Sequence, residues 1–467
     1  MSETVHAERR RDAIDERIEA HVRANLERYV ASLVELCASP SISAEDRALP
    51  ETAALVARVM GDFGIEARVM PTPGAPAVVA ALPGRSSRRL LVYNHYDVQP
   101  VDPLDEWVDP PFEPTRRDGR LVARGVADDK GDLIVRLAAV EALRAVDPEL
   151  PLPITFLVEG QEEIDGPAIG EFIRDQAELL ACDVAFGEAG SLTPSGRPEI
   201  VLGVKGMLYV EIEARGPDAG PVIDAHSSVA PVVENPAWVL VRALASLRDV
   251  DGRVRIAGFY DRVRPFDDVD RAALASLPGD VERELRASFG VSRFLDGVSG
   301  AALAERLYGA PTCTIAGLRS GYAGPGIKTV LPSVATAKID FRLVPDQRPE
   351  EILELLRRHL ADEGFDNVVV RALTTTVVPA RTPPDDPLVL RVVEITRDWY
   401  GIEPVVVPMS PGGQIFEPFL SVLGAPTMFG GVRPSGGNAH APNEFIEIDS
   451  LVPAICFTAH LFRQLAE

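Results

Sequence analysis

The sequence predicts an α/β fold whose mostly parallel sheet and flanking helices are interrupted by an inserted α+β domain. Three observations carry this. Through residue 186, short apolar runs alternate with stretches of helical periodicity, the pattern of parallel strands joined by crossover helices. Near Gly203 the pattern changes to longer alternating strands that flank helices. Beyond a proline-rich stretch at 379–387 the first style returns. A chain of 467 residues also exceeds what one core usually serves. The expected division is a discontinuous domain of residues 1–204 and 383–467 around an insert at 205–382.

The elements follow in order. From 12 to 37, Ile14, Ile18, Val22, Leu26, Val30 and Leu33 recur at helical spacing, and a second amphipathic stretch covers 51–63. Strands are expected at 90–93, 154–158 and 184–186, with helices at 132–146 and 169–180 between them. In the insert, strands at 208–214 and 335–344 accompany helices at 236–247 and 349–363. A helix at 388–400 and a strand at 426–429 close the first domain. There is no internal repeat or low-complexity tract.

Composition excludes some functions. Lys plus Arg is 47 against 70 Asp plus Glu, a formal net charge of -23, so nucleic acid and anionic membranes are repelled. Cys37, Cys182, Cys313 and Cys456 lie far apart with no Cys-x-x-Cys pair, and read as buried thiols in a reducing compartment. The opening MSETVHAERRRDAIDERIEAHV is charged throughout and lacks a signal-peptide core, and no later run reaches membrane-spanning length. A cytoplasmic location is expected.

The chemistry collects at strand ends, where open α/β sheets bind ligands. LLVYNHYDVQP carries an apolar run into His95 and Asp97, whose two-residue spacing sets them on one side of an extended chain. ITFLVEGQEE ends in Glu159, Glu162 and Glu163, acids that repel one another unless cations or protons intervene. DVAF runs into Glu188, and PTMFGG leads through a glycine-rich loop to His440. The loop RGVADDKGD sets Asp128, Asp129 and Asp132 just before a helix N-terminus. Taken singly, each reads more readily as a structural or solvated histidine, a solvated loop acid or a helix cap; their shared position is what points to metal. Two imidazoles with an excess of carboxylates suit a pair of borderline or hard divalent ions, such as zinc, manganese or cobalt.

In these motifs the chain resembles the M20 family of metallopeptidases, which includes carnosinase-like dipeptidases, glutamate carboxypeptidase, aminoacylase and succinyl-diaminopimelate desuccinylase. NHYDVQP resembles the family's His-x-Asp motif, RGVADDKG its metal-bridging Asp motif and EGQEEI its Glu-Glu motif, with AHAPNE following late and in order. The resemblance implies a di-metal catalytic domain carrying an inserted lid and dimerisation domain. It implies that His95 and Glu188 join a bridging Asp128 on one ion, and Glu163 and His440 join Asp128 on the other. Two ions per chain are expected, zinc first among them. Asp97 would orient His95, and Glu162 would be the general base toward a metal-bridging water. In the insert, His226 of DAHSSV matches a lid histidine that reaches the partner subunit's site in the family, so a homodimer through the lid is expected. Arg342 matches an arginine that holds the substrate carboxylate, and it alternates onto the polar face of its strand. Gly412 and Gly413 of SPGGQIFEP resemble a Gly-Gly turn that contacts substrate.

Several positions depart from the dipeptidase branch. Glu188 stands where dipeptidases usually carry Asp, Gln161 replaces a common Glu, Asn94 replaces Gly, and Gln414 stands where Ser is frequent. The leading expectation is hydrolysis of dipeptides or short peptides with a free C-terminal carboxylate. The alternatives are an N-acyl or N-carbamoyl amino acid amidohydrolase of the aminoacylase kind, which Glu188 favours, and a catalytically dead peptide-binding protein, which the presence of Glu162 argues against.

Overall fold

A computed structural model describes residues 12–193, 196–277 and 281–467. The sequence reading of the extreme N-terminus falls largely on residues 1–11, outside those described. Among the described residues no helix is long and apolar enough to cross a membrane.

The first helix, Ala13–Cys37, starts where Asp12 caps it. The Asp12 carboxylate accepts from the amides of Ile14 and Asp15, and Asp15 answers the Asp12 amide. Such a cap contributes about 1 kcal/mol. The helix buries Ile18, Val22, Val30 and Leu33 against helices Lys130–Val146 and Leu451–Leu465. The last of these was not foreseen.

The central sheet has six strands, in the order Arg68–Met70, Ala77–Leu82, Ile154–Glu159, Leu90–His95, Val184–Phe186, Thr427–Met428. The last four run parallel. The first two, absent from the sequence reading, run antiparallel and finish one edge. Leu90–His95 is buried along its whole length, as a strand covered on both faces must be, which explains why it reads as a continuous apolar run. One face carries the large core with the helices just named, and the other packs Phe172, Ile173 and Phe419. The helix expected at 169–180 ends at Asp175, and the chain turns so that Leu180 drops into that second core. Register sets His95 opposite Glu159, so parallel strands end together and aim their last side chains at one place.

A second, antiparallel sheet has the order Thr312–Ser320, Val334–Leu343, Gly206–Arg215, Val368–Thr374. Val334–Leu343 turns Ala335, Ala337, Ile339, Phe341 and Leu343 inward, onto helices Pro236–Leu247 and Pro349–Asp362. Its two outer strands and the helices Asp268–Ala275, Val281–Phe289 and Gly300–Gly309 were not foreseen. The chain passes between the two sheets at Gly203–Val204 and Ala380–Arg381, and these two strands pair side by side.

Candidate metal centre

Asp128 sits at the middle of the strand-end cluster. Its Oδ1 lies 3.2 Å from His95 Nε2, and its Oδ2 lies 3.1 Å from His440 Nε2. Glu188 Oε1 is 3.6 Å from the same nitrogen of His95, and Glu163 Oε2 is 3.2 Å from that of His440. Two groups of three donors result, each within 4.8 Å: His95, Asp128 and Glu188, then Asp128, Glu163 and His440. His95 is fully buried, whereas His440 is exposed at the rim.

Each carboxylate around this cluster has a definite task. Asp97 lies 3.3 Å from His95 Nδ1, and its two oxygens accept from the amides of Glu162 and Glu163 at 3.2 and 3.1 Å. One side chain therefore ties the histidine strand to the Glu-Glu turn. The Asp128–Asp129 peptide bond is cis. Asp129 turns back to accept from the His95 amide and Asn94 Nδ2. Glu444, fully buried, accepts from the amides of Gly125, Ala127 and Asp128 at 2.8, 2.8 and 3.0 Å and from Arg124 at 2.9 Å. Gly125 makes that loop feasible, because φ is +80° and a Cβ there would stand 2.4 Å from Val98. Arg136, buried inside helix Lys130–Val146, donates to the carbonyls of Tyr93, Gly187 and Gly430 and to Asn94 Oδ1, clamping three strand ends together.

Electrostatics test whether cations fit. Burial disfavours a charged imidazole at His95, yet hydrogen bonds to Asp128 and Asp97 outweigh it and lift its pKa well above the usual value. His440, bonded to Asp128 and Glu163, is raised to about 10. Burial together with Glu188, Glu163 and Asp128 pushes Glu162 well above the carboxylic range, and burial with Asp128 raises Glu188. Burial also lifts Glu159 to about 8. These groups hold on to protons because buried carboxylates this close cannot all ionise without positive charge among them. The donor set, imidazole nitrogens with carboxylate oxygens around a shared aspartate, suits divalent ions in that role.

Three departures from the dipeptidase pattern find partners. Gln161 turns away from the cluster to accept from the Ala75 amide, Asn94 links Asp129 to Arg136, and Gln414 donates to Glu188 Oε1 at 2.6 Å. The outlying residues divide. Arg342 is half-buried on its strand, with Nε donating to Asp340 at 3.1 Å. Its Nη1 lies 3.6 Å from where a Gly413 side chain would start, so the insert meets the Gly412–Gly413 turn here. A Cβ on Gly413 would also stand 2.9 Å from the Lys205 carbonyl, which only glycine avoids. His226 is exposed, and its ring bonds to Ser228 and Thr329 of its own insert rather than to any residue of the cluster.

Sequence reasoning assigned no role to Glu444, Arg136 or Arg433. Glu444 stood in plain view inside AHAPNE, and Arg136 stood in the middle of a mostly apolar helix, four residues after Asp132. Arg433 carried no signal beyond its nearness to the glycine-rich loop.

Comparison with known proteins places the sequence and the fold in a family. Peptidase family M20/M25/M40 matches residues 91–464. The chain is 28% identical over 406 residues to the human Beta-Ala-His dipeptidase, covering 85% of this chain and 78% of that protein. It is 28% identical over 407 residues to a Cys-Gly metallodipeptidase of Saccharomyces cerevisiae, covering 84% and 83%. An M20 family metallo-carboxypeptidase from Sulfolobus solfataricus superposes with a TM-score of 0.86 at 38% identity, over 94% of this chain and 99% of that one. Human carnosine dipeptidase 1 gives 0.76 at 26% identity, over 97% and 99%. With the family matched over most of its length and the same fold in these relatives, the chain belongs to the M20 family of metallopeptidases.

Proposed function

We propose that this protein hydrolyses the amide bond of dipeptides, or of short peptides ending in a free carboxylate, with two divalent ions per chain. The observation that carries the reading is the shared Asp128, whose two oxygens face His95 and His440 separately. Zinc is the ion assigned, with manganese or cobalt as substitutes. His95, Asp128 and Glu188 would hold one ion, and Asp128, Glu163 and His440 the other. When bound, such ions polarise a scissile carbonyl and acidify water.

The remaining steps belong to side chains. Glu162 lies outside both donor groups, on the same short helix as Glu163, and from there it would take a proton from water and return it to the leaving nitrogen. Asp97 orients His95 through Nδ1. Arg342 would hold the substrate carboxylate with its outer guanidinium nitrogens, its Nε being bonded to Asp340. Beside it, the Gly412–Gly413 turn would present its backbone to substrate. The side-by-side pairing of Gly203–Val204 with Ala380–Arg381 supports a division into residues 1–204 with 383–467, and an inserted lid at 205–382. Exposed Trp238 and Val241 on one lid helix, with Ile315 and Leu318 on the outer strand Thr312–Ser320, support a homodimer through the lid, since a long apolar edge needs a cover. In that dimer His226 would serve the partner's site. Four buried, free cysteines support a cytoplasmic setting.

Dipeptide substrates are the reading that the Beta-Ala-His and Cys-Gly dipeptidase relatives favour. Glu188 favours the second reading, an N-acyl or N-carbamoyl amino acid amidohydrolase. The test is a panel of Beta-Ala-His, Cys-Gly, longer peptides, and N-acetyl and N-carbamoyl amino acids, run on protein stripped by chelator and reloaded with zinc, manganese or cobalt. Dipeptide cleavage that vanishes on stripping and returns on reloading is expected. Cleavage of the N-acyl compounds alone would transfer the assignment to the second reading. Inertness of the loaded protein toward the whole panel would leave a peptide-binding role.

A further inference from the structure

Glu188 is held from two sides. Its Oε1 accepts from Gln414 and faces His95, whereas Oε2 lies 3.2 Å from Arg433 Nη2. The same arginine nitrogen is 3.6 Å from Asp132 Oδ2, and Arg433 Nε donates to the Ala189 carbonyl at 3.3 Å. Asp132 is fully buried in the first turn of its helix; Oδ2 accepts from the Ala189 amide at 3.2 Å, and Oδ1 has no hydrogen-bond partner. The other cation nearby, Arg136, points its guanidinium at backbone carbonyls and Asn94. Across the cluster Glu163 Oε2, the oxygen that faces His440, accepts from the Gln99 amide at 2.9 Å, as Glu188 Oε1 accepts from Gln414. Glu188 carries in addition the Arg433 guanidinium on its second oxygen.

We propose that Arg433 acts as a resident cation for Glu188 and Asp132. It offsets their charge while no divalent ion is bound, leaving Oε1 of Glu188 facing His95. The inference rests on the two-ion reading of the centre. An ion on the His95 side and the Arg433 guanidinium answer the same negative charge, so each makes the other less necessary. Removing the guanidinium destabilises the stripped chain more than the loaded one, and linkage then requires tighter metal binding. An arginine that merely filled space would behave differently: its loss would lower both states alike and leave the affinity for the ion unchanged.

The test uses Arg433→Gln and Arg433→Lys in the full chain, stripped by chelator, with thermal midpoints and calorimetric zinc titration. For Arg433→Gln the stripped midpoint falls by about 3 °C or more, the upshift on adding zinc widens by a similar amount, and the first zinc binds several-fold tighter. Arg433→Lys recovers most of the stripped midpoint. Equal losses in stripped and loaded protein, weaker zinc binding, or no change in either state would each overturn the proposal. Failure of the wild-type chain to bind zinc, manganese or cobalt would count against the two-ion reading instead, and the stripped midpoint of Arg433→Gln would still decide whether the guanidinium balances charge.

Discussion

Glu162 and Glu163 are neighbours on one short helix with their amides held by one aspartate, yet only Glu163 belongs to a donor group. Different losses follow. Glu162→Gln should lower kcat by at least ~10²-fold with metal content kept, as removal of a general base does. Glu163→Ala should shed metal. Elemental analysis beside steady-state rates separates the two, and the reverse pattern would exchange their roles. Glu444 makes a further case, because four donors converge on its carboxylate and three of them are amides of the loop that ends in Asp128. Glu444→Ala leaves Arg124 unpaired in a buried setting, at a cost of about 3 kcal/mol in denaturant unfolding, and lets the bridging loop relax. Unchanged stability together with unchanged zinc affinity would show that the loop supports itself. The residues in the two donor groups stood out because His95, Glu163, Glu188 and His440 follow apolar runs and Asp128 precedes a helix N-terminus. Glu444 was not, since nothing local to AHAPNE says that its carboxylate folds back on a loop more than 300 residues earlier.

Among elements, helices with an apolar stripe were the most legible. Pro236–Leu247 was read to the residue, and Pro349–Asp362 within one position, because each begins at a proline and carries a continuous buried face. The strands Arg68–Met70 and Thr312–Ser320 escaped notice because, at a sheet edge, few of their residues are buried, and the periodicity that reveals a strand is weak. The two lid helices meet at His359, whose ring is 3.0 Å from Ser246 Oγ. That hydroxyl gives its proton to the Ala243 carbonyl, so the ring donates. Burial holds the His359 pKa below 6.5. The unfolded chain then takes up this proton first as pH falls, so stability drops below about 6.5 until the folded pKa is passed, and this group contributes no slope above it. Urea midpoints at pH 7 and pH 5 should therefore lie closer together in His359→Gln than in wild type. An equal separation would assign the acid sensitivity elsewhere.

At the scale of the molecule, the candidate metal centre lies where parallel strands end, while His226 lies on the insert, outside it. The trans arrangement makes a sharp prediction. Co-expressed Glu162→Ala and His226→Ala chains, each nearly inactive alone, should form mixed dimers with one complete site. Random pairing makes about half the dimers mixed, with one working site in two, so roughly a quarter of wild-type activity returns. Mixed dimers isolated through two different tags provide the measurement. Activity no higher than the mean of the parents would mean that His226 serves its own chain.

The sequence by itself determined the α/β style, the parallel strand run with its antiparallel insert, and which histidines, aspartates and glutamates stand at strand ends. These follow from periodicity and local spacing, which depend on near neighbours along the chain. Only the tertiary structure decided that Asp128 turns one oxygen to each histidine, that Asp97 joins the histidine strand to the Glu-Glu turn, and that Arg433 stands behind Glu188. Those relations depend on directions of side chains brought from distant segments. Burial makes them compulsory, because a charge removed from water must find a partner wherever in the chain that partner lies.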